Sequence, residues 1–281
     1  MSENCAHDCS SCGENCPSRN KPQSLLEKTN NKTNIKKIIA VISGKGGVGK
    51  SSVTAQLAVM MQRKGYKTAI LDADITGPSI PKAFGVNKEP VNEGDYIYAV
   101  ETKTGIKIMS INLLIKDEMT PVIWRGPIIA GAVKQFYTDV IWGDIDYMFV
   151  DCPPGTGDVP LTVFQSLPID GIIVVTTPQD IVSMIVGKAV RMAEDMDIPI
   201  IGMIENMSYF KCPDCGGRHS IFGESKLEQV MKELYIKNAL RLPINPEFAS
   251  LMDTGRVEDM EENEIAEFAD LISEDAFSNN L

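Results

Sequence analysis

No stretch of this sequence stays apolar for the about 18 to 20 residues that a membrane helix needs, so no spanning segment is expected. Basic charge is also scarce: 27 lysines and arginines stand against 38 aspartates and glutamates, a net charge of −11. Such a surface repels nucleic-acid phosphates and anionic lipid, which argues against either as a partner. The chain does not open on a basic segment followed by an apolar one, so no secretory signal is expected and a cytoplasmic location is. Histidine is nearly absent, with only His7 and His219.

Cysteine, by contrast, is present seven times, and its distribution is uneven. Cys5, Cys9, Cys12 and Cys16 crowd the N-terminus, Cys212 and Cys215 form a C-x-x-C, and Cys152 stands alone. In a reducing cytoplasm clustered thiols point to metal or iron–sulfur ligation rather than to a disulfide framework. Residues 1–16 hold too few large apolar side chains to build a core, and residues 17–34, polar with two prolines, read as a flexible linker.

A folded domain is expected from residue 35 to the end. Apolar, β-branched runs at 36–43, 67–74, 106–114, 146–153, 171–178 and 199–206 alternate with helical patterns at 50–64, 126–141, 179–196, 224–234 and 263–273. Near-continuous apolar strands are those buried on both faces of a parallel sheet. The alternation therefore predicts a doubly wound, mostly parallel α/β fold with a Cys-rich N-terminal extension. The acidic segment 256–277 reads as an amphipathic helix whose polar face carries carboxylates, unlike a membrane-targeting tail.

Residues 43–51, SGKGGVGKS, fit G-x-x-x-x-G-K-[ST] with Gly44, Gly49, Lys50 and Ser51, between a predicted strand and a predicted helix. Glycines let backbone N–H groups of Lys45, Gly46, Gly47, Val48 and Ser52 turn toward phosphate oxygens, and the helix N-terminus adds its positive dipole end. Lys50 is placed to reach β- and γ-phosphates, and the Ser51 hydroxyl to ligate Mg²⁺. Asp72 and Asp74 end one strand and Asp151 ends another, where α/β folds gather their ligands.

The loop GKGGVGKS resembles the deviant Walker A loop of the MinD-like ATPases. That resemblance implies ATP as ligand, a homodimer, and a Lys45 that reaches the nucleotide of the partner copy. It also implies that Asp74 orients the attacking water, that Asp151 holds Mg²⁺ through water, and that Gly155 to Asp158 sense the γ-phosphate. DADITGPSIP, WRGP, VDCPPGTGD, TTPQ and IENMSYFKCPDCG follow one another as in the Mrp/ApbC family of iron–sulfur cluster carrier ATPases, over about residues 35–255. In that family the asparagine matching Asn206 meets adenine and the cysteines matching Cys212 and Cys215 bind the cluster. The implied activity is slow ATP hydrolysis coupled to delivery of clusters to apo-proteins. The N-terminal spacing, C-x3-C-x2-C-x3-C, departs from the wider spacing of the eukaryotic relatives.

Four thiolates complete a [4Fe–4S] cluster or a tetrahedral zinc. The N-terminal four make one set, and two C-x-x-C pairs meeting across a two-fold axis make another, so a bridging [4Fe–4S] cluster is expected at Cys212 and Cys215. A second cluster is expected at Cys5, Cys9, Cys12 and Cys16. Zinc is the alternative at both positions. With enough thiolates available, His7 and His219 are expected to be bystanders, and Cys152 a small buried residue. Two other functions share the ATPase loop: an electron donor like the nitrogenase iron protein, and a spatial regulator of the ParA/MinD kind.

Overall fold

A computed structural model describes residues 25–74, 77, 79–94, 96–114, 126–179 and 182–273, the side chains of 182–185 excepted. Its first half runs β1 (Asn34–Ser43), α1 (Lys50–Arg63), β2 (Thr68–Asp72), α2 (Ile80–Ala83), β3 (Asn92–Glu93), β4 (Tyr96–Tyr98), β5 (Val100–Glu101) and β6 (Lys107–Met109). After these come α3 (Gly126–Thr138), β7 (Val140–Ile141), β8 (Asp144–Asp151), α4 (Asp158–Ser166), β9 (Gly171–Thr176) and α5 (Val182–Glu194). The chain closes with β10 (Ile200–Lys211), β11 (Arg218–His219), α6 (Leu227–Glu233), β12 (Ala239–Pro243), α7 (Pro246–Asp253) and α8 (Ile265–Ser273).

The main sheet has the order β11-β10-β9-β1-β8-β2-β6-β5, with β12 also on β10. All its pairings are parallel except those of β5 with β6 and β11 with β10. The small strands β3, β4 and β7 form a separate sheet. In β1, Ile39 and Val41 face one layer of helices while Ile38, Ala40 and Ile42 face the other, so one strand feeds two apolar clusters. That two-sided burial is why the strand shows no polar alternation. The first cluster packs α1 and α8 against the sheet, with Ile265, Phe268 and Ile272 of the acidic terminal helix turned inward.

Ahead of β1 the chain is fastened to the domain. The Glu27 N–H donates to the Ser166 carbonyl at 2.8 Å, and Asn30 Nδ2 donates to the carbonyls of Thr138 and Val140 at 3.0 and 2.8 Å.

Several elements differ from the sequence pattern, among them the helical stretch expected at 126–141, which ends at Thr138 and gives way to strand β7 at Val140–Ile141. The run at 106–114 is a three-residue strand, because a 3₁₀ turn at Ile111–Leu113 follows it, capped by Ser110, whose side chain accepts from the Asn112 N–H. Strand β10 continues past Asn206 to Lys211, held first by β12 and then by β11. Helix α4 begins immediately after the Asp151 loop, with Pro160 in its first turn, where the missing N–H has no intrahelical role.

Candidate functional site

Register brings the site together at the carboxyl ends of the central strands. Asp72 lies opposite Asp151 across β2 and β8, and Val41 opposite Asp151 across β1 and β8. The loop from Ser43 to Lys50 leaves β1 at this edge and enters α1. Gly47 and Gly49 both adopt φ +79°, the left-handed region that a side chain resists. At Gly49 space is closed as well: a Cβ would come within 2.2 Å of Asn206 Nδ2. That same nitrogen donates to the Val48 carbonyl at 3.0 Å, so β10 is tied to the loop.

Asp151 is fully buried and accepts three side-chain hydrogen bonds: from Lys50 Nζ at 2.7 Å, Ser51 Oγ at 2.5 Å and Thr54 Oγ1 at 2.9 Å. Lys50 also lies 3.6 Å from Asp74 Oδ2. Burial alone pulls the Lys50 ammonium down, but the charge and hydrogen bond of Asp151 and the charge of Asp74 outweigh it and hold the pKa above its ordinary value. Asp72, buried beside Asp151, is pushed well above the usual carboxylate range by desolvation first and by the neighbouring charge second. Its Oδ2 accepts from Ser110 Oγ at 3.0 Å and its Oδ1 from the Asp74 N–H at 3.1 Å. Cys152 is completely buried and burial pushes its thiol up to about 12, which suits a small packing residue.

Two clefts meet at Gly49 and Ser52. One, of about 330 Å³, is lined by Lys45, Gly47, Lys50, Ser51, Asp74 and Pro154. The other, of about 180 Å³, lies between Ser52, Asn206, Pro243, Asn245, Phe248 and Glu264. The first offers cations, backbone amides and carboxylates for a polyphosphate and its metal; the second has apolar walls with a polar rim, which suits a flat heterocycle. Gly44 and Gly46 sit in the same loop, and Gly155 donates its N–H to the Ser43 carbonyl at 2.8 Å, closing the cleft on the α4 side. A Ser-hydroxyl and buried-carboxylate pair such as Ser51 with Asp151 is an all-oxygen donor set that fits Mg²⁺.

The cysteine pair sits at the far end of β10. Strands β10 and β11 form a hairpin in which Phe210 faces His219 and Lys211 faces Arg218. Inside its turn the Cys212 N–H donates to the Gly217 carbonyl at 2.8 Å and the Gly216 N–H to the Cys212 carbonyl at 2.9 Å. Backbone N–H groups of Cys215 and Asp214, with the Cys215 side chain, hold the Cys212 thiol below its ordinary pKa. The ligand atoms of Cys212, Cys215 and His219 all lie within 4.8 Å of one another. The sequence placed His219 beside the pair but could not bring it into reach; that needed the hairpin to close. Cys5, Cys9, Cys12, Cys16 and His7 lie outside the described residues, as do Trp124 and Arg125 of the WRGP motif.

Fold and loop together define a P-loop nucleotide-binding protein. Residues 34–276 match the ParA-type family described as NUBPL iron-transfer P-loop NTPase, and the chain belongs to that family. It is 46% identical over 258 residues to the iron-sulfur cluster carrier protein of Methanocaldococcus jannaschii, covering 88% of this chain and 89% of that one. It is also similar to a solved nucleotide-binding protein from Archaeoglobus fulgidus, in complex with ADP and with cobalt found. That match has 43% identity and a TM-score of 0.73, covering 81% of this chain and 90% of the other. The cell-division ATPase MinD of Pyrococcus furiosus shares the fold at 19% identity, with a TM-score of 0.58 over 85% of this chain and 98% of that chain. The expected fold class and family are thereby established.

Proposed function

We propose that the chain is an ATP-dependent iron–sulfur cluster carrier that works as a homodimer and passes [4Fe–4S] clusters to apo-proteins in the cytoplasm. The observation that carries this reading is a single strand. Asn206 of β10 lines the apolar cleft and is bonded to the phosphate loop, and the same strand ends at Lys211, immediately before Cys212. A nucleotide-driven shift of the loop is therefore felt directly at the cysteines.

In this mechanism the adenine enters beside Asn206 and the phosphates follow the loop of Gly44 to Ser52. Lys50 moves from Asp151 to the β- and γ-phosphate oxygens as they arrive. Ser51, and Asp151 through water, would hold Mg²⁺, which supplies charge neutralisation between the phosphates. Asp74 orients water for attack on the γ-phosphorus, with ADP leaving. Lys45 reaches the nucleotide of the partner copy and couples closure of the dimer to hydrolysis. The loop Gly155 to Asp158 relaxes when the γ-phosphate departs. The cargo is held between two copies by Cys212 and Cys215 of each, while Cys5, Cys9, Cys12 and Cys16 hold a second cluster on a segment tethered ahead of Glu27, where the chain is fastened to the domain.

The test is transfer. Anaerobically reconstituted protein is mixed with an apo-ferredoxin or apo-dehydratase, and recipient activity is followed with and without ATP. The carrier reading requires the recipient to gain its cluster and the donor to lose one, with ATP changing the rate. ATP-coupled oxidation of a reductant with no loss of cluster would identify an electron donor instead.

A further inference from the structure

We propose that Cys212, Cys215 and His219 of a single chain form an open, three-ligand site for a thiophilic divalent cation of the zinc, iron(II) or cobalt(II) class. His219 is then a ligand in its own right. The inference rests on the reading of this hairpin as a metal-binding site and adds a donor to it.

Three features carry it. The hairpin register places His219 opposite Phe210, two residues before Cys212, and the three ligand atoms converge within 4.8 Å. The turn between them is shaped to leave that triangle clear. Gly216 is left-handed at φ +71°, and at Gly217 a Cβ would stand 3.3 Å from Cys215 Sγ and 3.5 Å from His219 Nε2. A side chain there would press on Cys215 Sγ and lie in contact with His219 Nε2. Finally, two thiolates and an imidazole are the borderline-soft set preferred by tetrahedral zinc and its congeners, and a site with three protein ligands keeps one position open. Cys215 and His219 are exposed, so that fourth position faces solvent.

The consequence concerns the lone chain. A bridging cluster takes two thiolates from each copy, and separation of the copies would leave each pair half-ligated. With His219 the separated chain keeps three donors and can retain a single ion, which a two-cysteine pair holds poorly. Arg218, stacked 4.5 Å from the centre of the Tyr209 ring, anchors the β11 side of the hairpin so that the imidazole stays in place.

The experiment uses the full-length chain with Cys5, Cys9, Cys12 and Cys16 changed to serine, kept anaerobic and free of nucleotide, and titrated with Co²⁺. One Co²⁺ per chain is expected, with thiolate-to-cobalt charge-transfer bands in the near ultraviolet and intense tetrahedral bands in the visible. His219→Ala should weaken Co²⁺ binding by tenfold or more and alter the visible envelope. His219→Cys should restore binding and strengthen the charge-transfer bands. His219 is exposed, and nucleotide binding by each variant checks that the fold is intact. An unchanged spectrum and affinity in His219→Ala, or one Co²⁺ per two chains in the parent, overturns the proposal. Cluster uptake and transfer by the parent is a separate readout. If that fails while His219 still governs Co²⁺, the carrier reading falls and the three-ligand site stands; the reverse pattern removes only the third ligand.

Discussion

The side-chain amide of Asn206 donates to the backbone carbonyl of Val48 at 3.0 Å, and Gly49 leaves no room for anything between them. Two glycines of the loop with the same φ therefore differ in what they tolerate. Gly47→Ala meets open space and should cost only the left-handed strain, about 1 to 2 kcal/mol. Gly49→Ala adds a collision with Asn206, so it should be the more destabilising of the two and should also weaken nucleotide binding. Thermal unfolding with and without ADP measures both effects. Equal losses in the two variants would show that Asn206 moves aside freely.

The two lysines of the loop should separate binding from turnover. Lys50→Ala removes the ammonium nearest the phosphates and should abolish nucleotide binding. It also strips Asp151 of its buried counter-charge, a loss of about 3 to 5 kcal/mol by comparison with other broken buried pairs. Lys45→Ala should leave binding intact and slow hydrolysis and the ATP-driven dimer response. Parent-like hydrolysis by Lys45→Ala would end its assignment as the residue acting across the dimer.

Among the carboxylates, Asp74→Asn should bind Mg-ATP and hydrolyse it poorly, because the water loses its orienting acceptor. Asp151→Asn should instead weaken Mg²⁺-dependent binding itself. Calorimetric titration with Mg-ATP and phosphate release separate the two. Full activity in both would displace the site.

Asp72 carries a pH dependence of opposite sign to most carboxylates. Its folded pKa lies above the ordinary 3.8, so the folded state holds this proton more tightly than the unfolded chain does. Stability from this group is therefore full in acid and falls as pH rises from about 4 through the folded pKa. Asp72→Asn removes the buried charge while Ser110 can turn its hydroxyl to suit the amide. In buffer without nucleotide or metal the variant should match the parent near pH 4 and melt higher at neutral pH. A parent that gains stability over the variant with rising pH would mean that attraction to Lys50 outweighs desolvation.

Much of this architecture was legible in residue pattern because parallel strands buried on both faces leave unbroken apolar runs, as in Ile38 to Ile42. Phosphate loops are equally legible, since glycine, lysine and serine are each demanded by a local geometry. Long-range pairing was less so. Tyr209 and Phe210 suit a strand but do not specify one in so short a run; pairing with β12 and β11, from seven or more residues away, makes residues 209–211 strand. Helix α7 did carry a local signal that the pattern of apolar residues alone passes over: Asn245 caps it by accepting from the Phe248 N–H at 3.0 Å, and Pro246 opens its first turn. The reach of His219 to Cys212 and Cys215 depends on the closed hairpin and has no signature in spacing beyond proximity.

The cysteine assignments meet in one count. If Cys212 and Cys215 supply half of a [4Fe–4S] ligand set, the shared cluster contributes about two irons per chain. A complete cluster at Cys5, Cys9, Cys12 and Cys16 adds about four, so anaerobically reconstituted protein should hold about six. Deleting residues 1–20 should lower this to about two and leave a dimer that still binds ATP. Changing Cys212 and Cys215 to alanine should leave about four irons per chain and a weaker dimer without nucleotide, because the bridge between copies is gone. Iron and sulfide analysis beside sedimentation reads all three proteins on one scale. A deletion that empties both sites would mean that the N-terminal segment completes the Cys212–Cys215 site within one chain, and the bridged arrangement would have to be abandoned.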